Sequence, residues 1–186
     1  MMVADTSGRQ KTVCIASGVW VSWPKMKKPM AEIFLQPMTE ADLDEVLPIE
    51  ASSFSSPWSR RHFLDELTSP LSFPMVARMS DGLVAGYICM MMVLDEGSVL
   101  NVAVHPQLRR KGIGKMMIQA ALAEFHSRGA SFVALEVRPT NKAALSIYEG
   151  FGFVVTGRRK AYYENGEDAV LMEYDIKRLD EDKHAL

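Results

Sequence analysis

The sequence predicts a mixed α/β (α+β) single domain built on a central sheet, and three observations predict it. Apolar residues make up 48% of the 186 positions and charged residues 24%, an ordinary globular balance. That length suits one domain with a sizeable core. Short apolar runs bounded by turn residues alternate with segments of helical spacing, in the order strand, two helices, three strands, helix, strand, helix, two strands.

Each element has its own signal. "EIFLQPM" (Glu32–Met38) reads as a first strand. Thr39 with Asp42 three residues on resembles a capping box, so "EADLDEVLPIEASSF" opens as a helix. "SSPWS" breaks the chain, and Ser59 can cap a second short helix through "RRHFLDEL". "FPMVARM", the turn "SDG" and "LVAGYICMMMVL" make a hairpin, and "SVLNVAV" (Ser98–Val104) is a further strand ended by His105-Pro106. From Ile113 the period changes: Met116, Met117, Ala120, Ala121 and Phe125 share a helical face, and Gly129 can end the helix. "SFVALEV" is a strand, "NKAALSIYEGFG" a helix, and "FVVTG" and "AVLMEYDI" close the sheet.

Charge and cysteines exclude several function classes. Residues 1–30 carry five cations against Asp5 alone, whereas the remainder holds sixteen basic and twenty-two acidic residues. A non-specific nucleic-acid binder would show the opposite balance in its folded part. Cys14 and Cys89 make neither a disulfide framework nor a metal site, and Cys89 in "GYICMMMVL" reads as a small buried hydrophobe. His62, His105 and His126 lack ligand spacing, so no metal is expected. No apolar run can span a bilayer, and a reducing cytoplasm is the expected compartment. Residues 1–30 are expected to be a disordered extension, or upstream sequence ahead of a start at Met26 or Met30. Residues 31–178 then form the domain, and 179–186 a flexible tail.

The stretch "RRKGIGK" (Arg109–Lys115) opens the long helix and can cradle phosphate. Its glycines let backbone donors approach a ligand, and a helix start offers unpaired N–H groups. A nucleotide P-loop would need glycine at Arg109 and Ser or Thr at Met116; a dinucleotide fingerprint would need glycine at Met117. What remains is Arg-x-x-Gly-x-Gly, suited to the pyrophosphate of coenzyme A. Standing alone, the loop could equally be a plain helix entry with a solvated basic turn.

Three segments, "NVAVHPQLRRKGIGKMMI", "LEVRPTNKAALSIYEGFGF" and "RRKAYYENGEDAVLMEY", together resemble the GNAT superfamily of N-acetyltransferases. "FSSPWS", "VLDEGSVLNVAV" and "LEVR" narrow the likeness to the RimI family, which acetylates the N-terminal alanine of a small-subunit ribosomal protein. The likeness runs from about Glu32 to Ile176; the front extension departs from it. It implies an acetyl-CoA-dependent fold whose largely antiparallel sheet splays between strands 4 and 5. It implies further that Arg109, Arg110, Lys111, Gly112, Ile113 and Gly114 hold the pyrophosphate. Val102, Ala103 and Val104 would pair with the pantetheine arm, and Asn141 would touch the coenzyme.

The same likeness implies Glu136 as general base and Tyr148 as general acid. A carboxylate on an otherwise apolar strand loses hydration, which raises its pKa toward a useful value. Read from the residues alone, Glu136 could equally be an edge carboxylate paired with Arg138, two positions along the same face. Tyr148 could simply pack its helix on the sheet, and Asn141 could simply cap one. Trp58, Tyr162 and Tyr163 can wall a peptide groove, and Asp95 and Glu96 can attract a basic peptide. The expected reaction is direct acetyl transfer to a protein N-terminus by a monomer, without membrane or nucleic-acid contact. Rival readings are a GNAT enzyme for lysine side chains or small amines, a non-catalytic acetyl-CoA module, and RNA binding through the basic extension.

Overall fold

The computed structural model describes residues 32–176, together with the backbone of a two-stranded antiparallel ribbon, Thr12–Cys14 beside Trp20–Ser22. Apart from that ribbon, the expectation of a disordered extension lies outside the described residues, as does the expected tail.

A seven-stranded sheet organises the domain. Its strands are β1 (Ile33–Pro37), β2 (Met75–Met79), β3 (Val84–Val93), β4 (Glu96–Val104), β5 (Phe132–Val137), β6 (Val154–Arg159) and β7 (Ala169–Asp175). They lie in the order β1-β2-β3-β4-β5-β7-β6. Neighbours run antiparallel except β4 and β5, which are parallel. Parallel neighbours need a long crossover, and the helix α3 (Ile113–Ser127) provides it. The helices α1 (Leu43–Ala51) and α2 (Arg60–Thr68) lie before β2, and α4 (Lys142–Phe151) lies between β5 and β6.

Local chemistry sets the boundaries. Thr39 N–H donates to the Asp42 carboxylate at 2.7 Å, closing the expected capping box over a single 3-10 turn before α1. Ser59 N–H donates to His62 Nδ1 at 3.0 Å, so a histidine takes the usual carboxylate's place at the start of α2. Gly129 and Gly152 adopt left-handed φ values of 83° and 98° and stop α3 and α4. β4 begins at Glu96, two residues ahead of the sequence expectation, because the tight β3–β4 turn lets Val93 pair with Glu96 directly.

Two cores cover the two faces of the sheet. Met117, Phe125, Val133, Leu135, Val137 and Phe153 belong to the one packed by α3 and α4. Leu43, Ile49, Phe63 and Tyr87 belong to the one beneath α1 and α2. Burial of this kind is worth about 25 cal/mol per Å² of apolar surface, and it, not helix propensity, holds these short helices in place. Cys89 is fully buried, and burial holds its thiol well above the usual range.

Candidate active site

The sheet opens where the two parallel strands part. β4 and β5 pair only from Glu96–Val99 against Phe132–Leu135. A bulge at Leu100 shifts the β3–β4 register from Met90↔Val99 to Cys89↔Asn101, and β4 leaves β5 beyond it. β5 meanwhile stays paired with β7 through Glu136↔Leu171 and Val137↔Val170. The expected splay therefore lies between strands 4 and 5, opening at Glu136, the residue after the last paired one.

The backbone on the β4 side of that gap can be worked out from the ladder. His105 N–H donates to the Ala85 carbonyl at 2.9 Å, and the register runs unbroken back to Asn101. Peptide groups alternate sides along an antiparallel strand. Ala103 therefore faces β3, while Val102 and Val104 present their N–H and C=O groups to the gap. An extended, amide-bearing arm can pair with those two residues as a strand would; Ala103 offers it no backbone group.

The glycine loop sits at the mouth. Gly112 caps α3 with a φ of 84°, and Arg110 also lies in the left-handed region at 62°. Alternation of this sort turns successive N–H groups toward one concavity, a nest for anions. The amides of the first turn of α3 add to it, with the positive end of the helix dipole behind them. Gly114 lies between the helices and the strand: a Cβ there would meet Ile147 Cδ1 at 3.6 Å and Val104 Cγ2 at 3.7 Å. Arg109 turns back, its Nε donating to the Val104 carbonyl at 3.1 Å and its Nη2 to Ser53 Oγ at 2.8 Å. It braces the loop, and Arg110 and Lys111 stand exposed beside the nest.

Across the gap, Glu136 is 27% exposed and ion-paired to Arg159 Nη1 at 2.7 Å. Its strand is otherwise apolar, as expected, but its side chain meets a cation. Tyr162 also hydrogen-bonds to it, and the carboxylate holds that phenol above its usual range. The alternative pairing with Arg138 does not form. Arg138 goes to Glu167 at 2.9 Å and stacks 3.7 Å above the Tyr163 ring. Hydrogen bonds from Thr140 and Arg138 hold the Glu167 carboxyl below its usual range.

Tyr148 lies on α4, buried against Phe153 with ring centroids 5.6 Å apart. Burial, with a smaller contribution from Tyr163, pushes its phenol up to about 12. Burial raises the Tyr163 phenol above its usual range, and the Glu136 carboxylate adds a smaller push in the same direction. Asn141 Oδ1 accepts from Ala144 N–H at 3.2 Å and caps α4, which leaves its amide nitrogen for a ligand.

The loop between α1 and α2 closes the acceptor side. Ser53 meets Arg109, Ser55 Oγ lies 3.4 Å from Arg138 Nη2, and Ser56 hydrogen-bonds to Glu164. The loop thus spans from the glycine loop to the β6–β7 loop that carries Tyr162 and Tyr163. Trp58 packs edge-on against Phe63 at 5.4 Å and forms the loop's inner margin. Asp95 and Glu96 are a different matter. They sit at the β3–β4 turn, a whole strand of roughly 27 Å from Val104, and cannot line this groove. Arg159, Asn101 and Glu50 escaped the sequence reading, because only tertiary pairing brings them to the site. Among the described residues no group of three or more metal-capable side chains clusters, and no helix is long and apolar enough to cross a membrane.

An anion nest beside an opened parallel pair fits an acyl-CoA-type transferase fold. Residues 43–153 match the Acetyltransferase (GNAT) family, and the chain belongs to that family. It is 38% identical over 133 residues to a Bacillus subtilis (strain 168) protein provisionally named a [ribosomal protein bS18]-alanine N-acetyltransferase, covering 70% of this chain and 87% of the relative. The crystal structure of the ribosomal-protein-S18-alanine N-acetyltransferase from Escherichia coli superposes with a TM-score of 0.72 at 30% identity. That match covers 78% of this chain and 94% of the other. The NatC complex bound to Gag peptide and CoA matches with a TM-score of 0.67 at 25% identity, over 77% of this chain and 98% of the matched chain. The protein is an acyltransferase of the RimI-like branch.

Proposed function

We propose that this enzyme acetylates the N-terminal α-amine of a protein, an alanine-initiated small-subunit ribosomal protein, using acetyl-CoA. The observation that carries the reading is the opened β4–β5 edge, with a phosphate nest at its mouth and Glu136 on its far side. Relatives named for bS18-alanine acetylation, at 30–38% identity, support the choice of substrate.

Acetyl-CoA, when bound, supplies an acyl group activated as a thioester. Gly112, Ile113 and Gly114, with Arg110 and Lys111 beside them, hold its diphosphate, and the Val102–Val104 edge aligns its arm through the Val102 N–H and C=O. Asn141 contributes the amide nitrogen that its capping role leaves over. Glu136 takes the proton that the attacking amine sheds, directly or through one water. Val104 N–H faces the carbonyl oxygen as it gains charge. Tyr148 hands its phenolic proton to the departing thiolate; a phenol at about 12 is protonated across the working range. Transfer is direct, since the buried, high-pKa thiol of Cys89 is a poor nucleophile.

The test is acetyl transfer to an alanine-initiated basic peptide by the parent, Glu136→Gln and Tyr148→Phe. Each variant is expected to lose about 100-fold or more in kcat. Full activity in both removes these roles. Lysine peptides and polyamines assayed beside the alanine peptide separate the substrate classes. Mass spectrometry of ribosomal proteins from cells with and without the gene looks for a lost N-terminal acetyl group; no change overturns the ribosomal assignment.

A further inference from the structure

Glu50, in the last turn of α1, is 1% exposed, yet none of the ion pairs among the described residues includes it. A carboxylate buried without a cation is unfavourable unless several donors converge on it. Three do. The Trp58 backbone N–H donates at 2.7 Å, Asn101 Nδ2 at 3.2 Å, and the Tyr87 hydroxyl completes the set. The donors come from three elements: the α1–α2 loop, β4 and β3. Asn101 lies next to the bulge where the sheet opens, immediately before the Val102–Val104 edge.

The backbone of the same residue holds the other end of the loop, its carbonyl accepting from Ser53 and Phe54 N–H at 2.9 and 3.1 Å. Glu50 therefore ties both ends of the 52–59 loop. The loop's outward contacts, Ser55 to Arg138 and Ser56 to Glu164, are exposed and compete with water. The inward contact is buried.

We infer that Glu50 is a positioning residue, whose carboxylate fixes the α1–α2 loop, as the wall of the acceptor groove, against the open edge of β4. The inference rests on the acetyl-transfer reading above. Displacing such a wall weakens the hold on the acceptor peptide in the ground and transition states alike, which raises its KM. The coenzyme nest meets this loop through Ser53, whose Oγ accepts from Arg109; Ser53 is held by the Ile49 and Glu50 backbone carbonyls, which a change of the Glu50 side chain leaves in place.

The experiment compares the parent with Glu50→Gln, which is nearly isosteric, and with Tyr87→Phe, which removes one donor and keeps the carboxylate. Steady-state kinetics are read with an alanine-initiated peptide and acetyl-CoA, and hydrogen exchange is read over residues 52–59. In Glu50→Gln the peptide KM is expected to rise about tenfold while the acetyl-CoA KM stays within about twofold. Exchange over 52–59 quickens by about tenfold, with the central sheet unchanged. Tyr87→Phe shows the same pattern more weakly, and decides the matter if Glu50→Gln does not fold. Parent-like exchange over 52–59, or faster exchange with an unaltered peptide KM, overturns the inference. If the parent acetylates no peptide, the acceptor assignment fails instead, and the exchange result alone decides whether Glu50 positions the loop.

Discussion

Tyr148 carries its chemistry in its surroundings. Below pH 10 its phenol is protonated whether the chain is folded or not, so its burial is fully tolerated. As pH rises from 10 through about 12, the unfolded phenol ionises while the folded one does not, and stability falls. The loss approaches about 2–3 kcal/mol. Thermal melts at pH 9 and 11.5 are expected to show a smaller drop for Tyr148→Phe than for the parent. Gly112 makes a second residue-scale case. Its left-handed φ of 84° makes Gly112→Ala strained by about 1–2 kcal/mol, although no atom lies within 4 Å of the added Cβ. Gly82→Ala, at φ 97° in the distant β2–β3 turn, carries the same strain. Calorimetry should find coenzyme binding weakened only in the Gly112 variant.

At the scale of elements, the β3–β4 pair decides whether the site exists. Those two strands hold their register from Gly86↔Val104 to Cys89↔Asn101, then the bulge at Leu100 bends β4 away from β5. Gly86 permits the close approach: a Cβ there would sit 2.6 Å from the Ala103 carbonyl oxygen and 3.3 Å from Val104 Cα. Backbone cannot rotate aside as a side chain does. Gly86→Ala is expected to destabilise by about 1–3 kcal/mol. It should also raise the acetyl-CoA KM more than the peptide KM, because the displaced atoms belong to the edge that aligns the coenzyme.

For the molecule as a whole, the two cores clamp the sheet from both faces and leave the gap as its one interruption among the described strands. The catalytic assignments all fall within residues 50–163, so the basic segment in front is not needed for chemistry. Removing residues 1–29 is expected to leave kcat/KM for an alanine-initiated peptide within about twofold, read as a free-energy change near zero. A large fall would give the extension a part in turnover.

Much of this could be read before folding, for reasons visible in particular residues. Thr39–Asp42, Ser59, Gly129 and the helical face from Ile113 act over a few positions, so local sequence encodes them. The glycine loop is equally local: its φ values and first-turn donors come from six consecutive residues. By itself, then, the sequence determined the elements, their order, the shape of the glycine loop and the family. Tertiary structure alone decided the rest. It gave Glu136 the Arg159 partner in place of Arg138, turned Arg109 back onto Val104 and Ser53, moved Asp95 and Glu96 to the far end, and buried Glu50 under three donors. Those outcomes depend on strand register and loop packing between residues dozens of positions apart, where a shift of one residue changes which side chains meet.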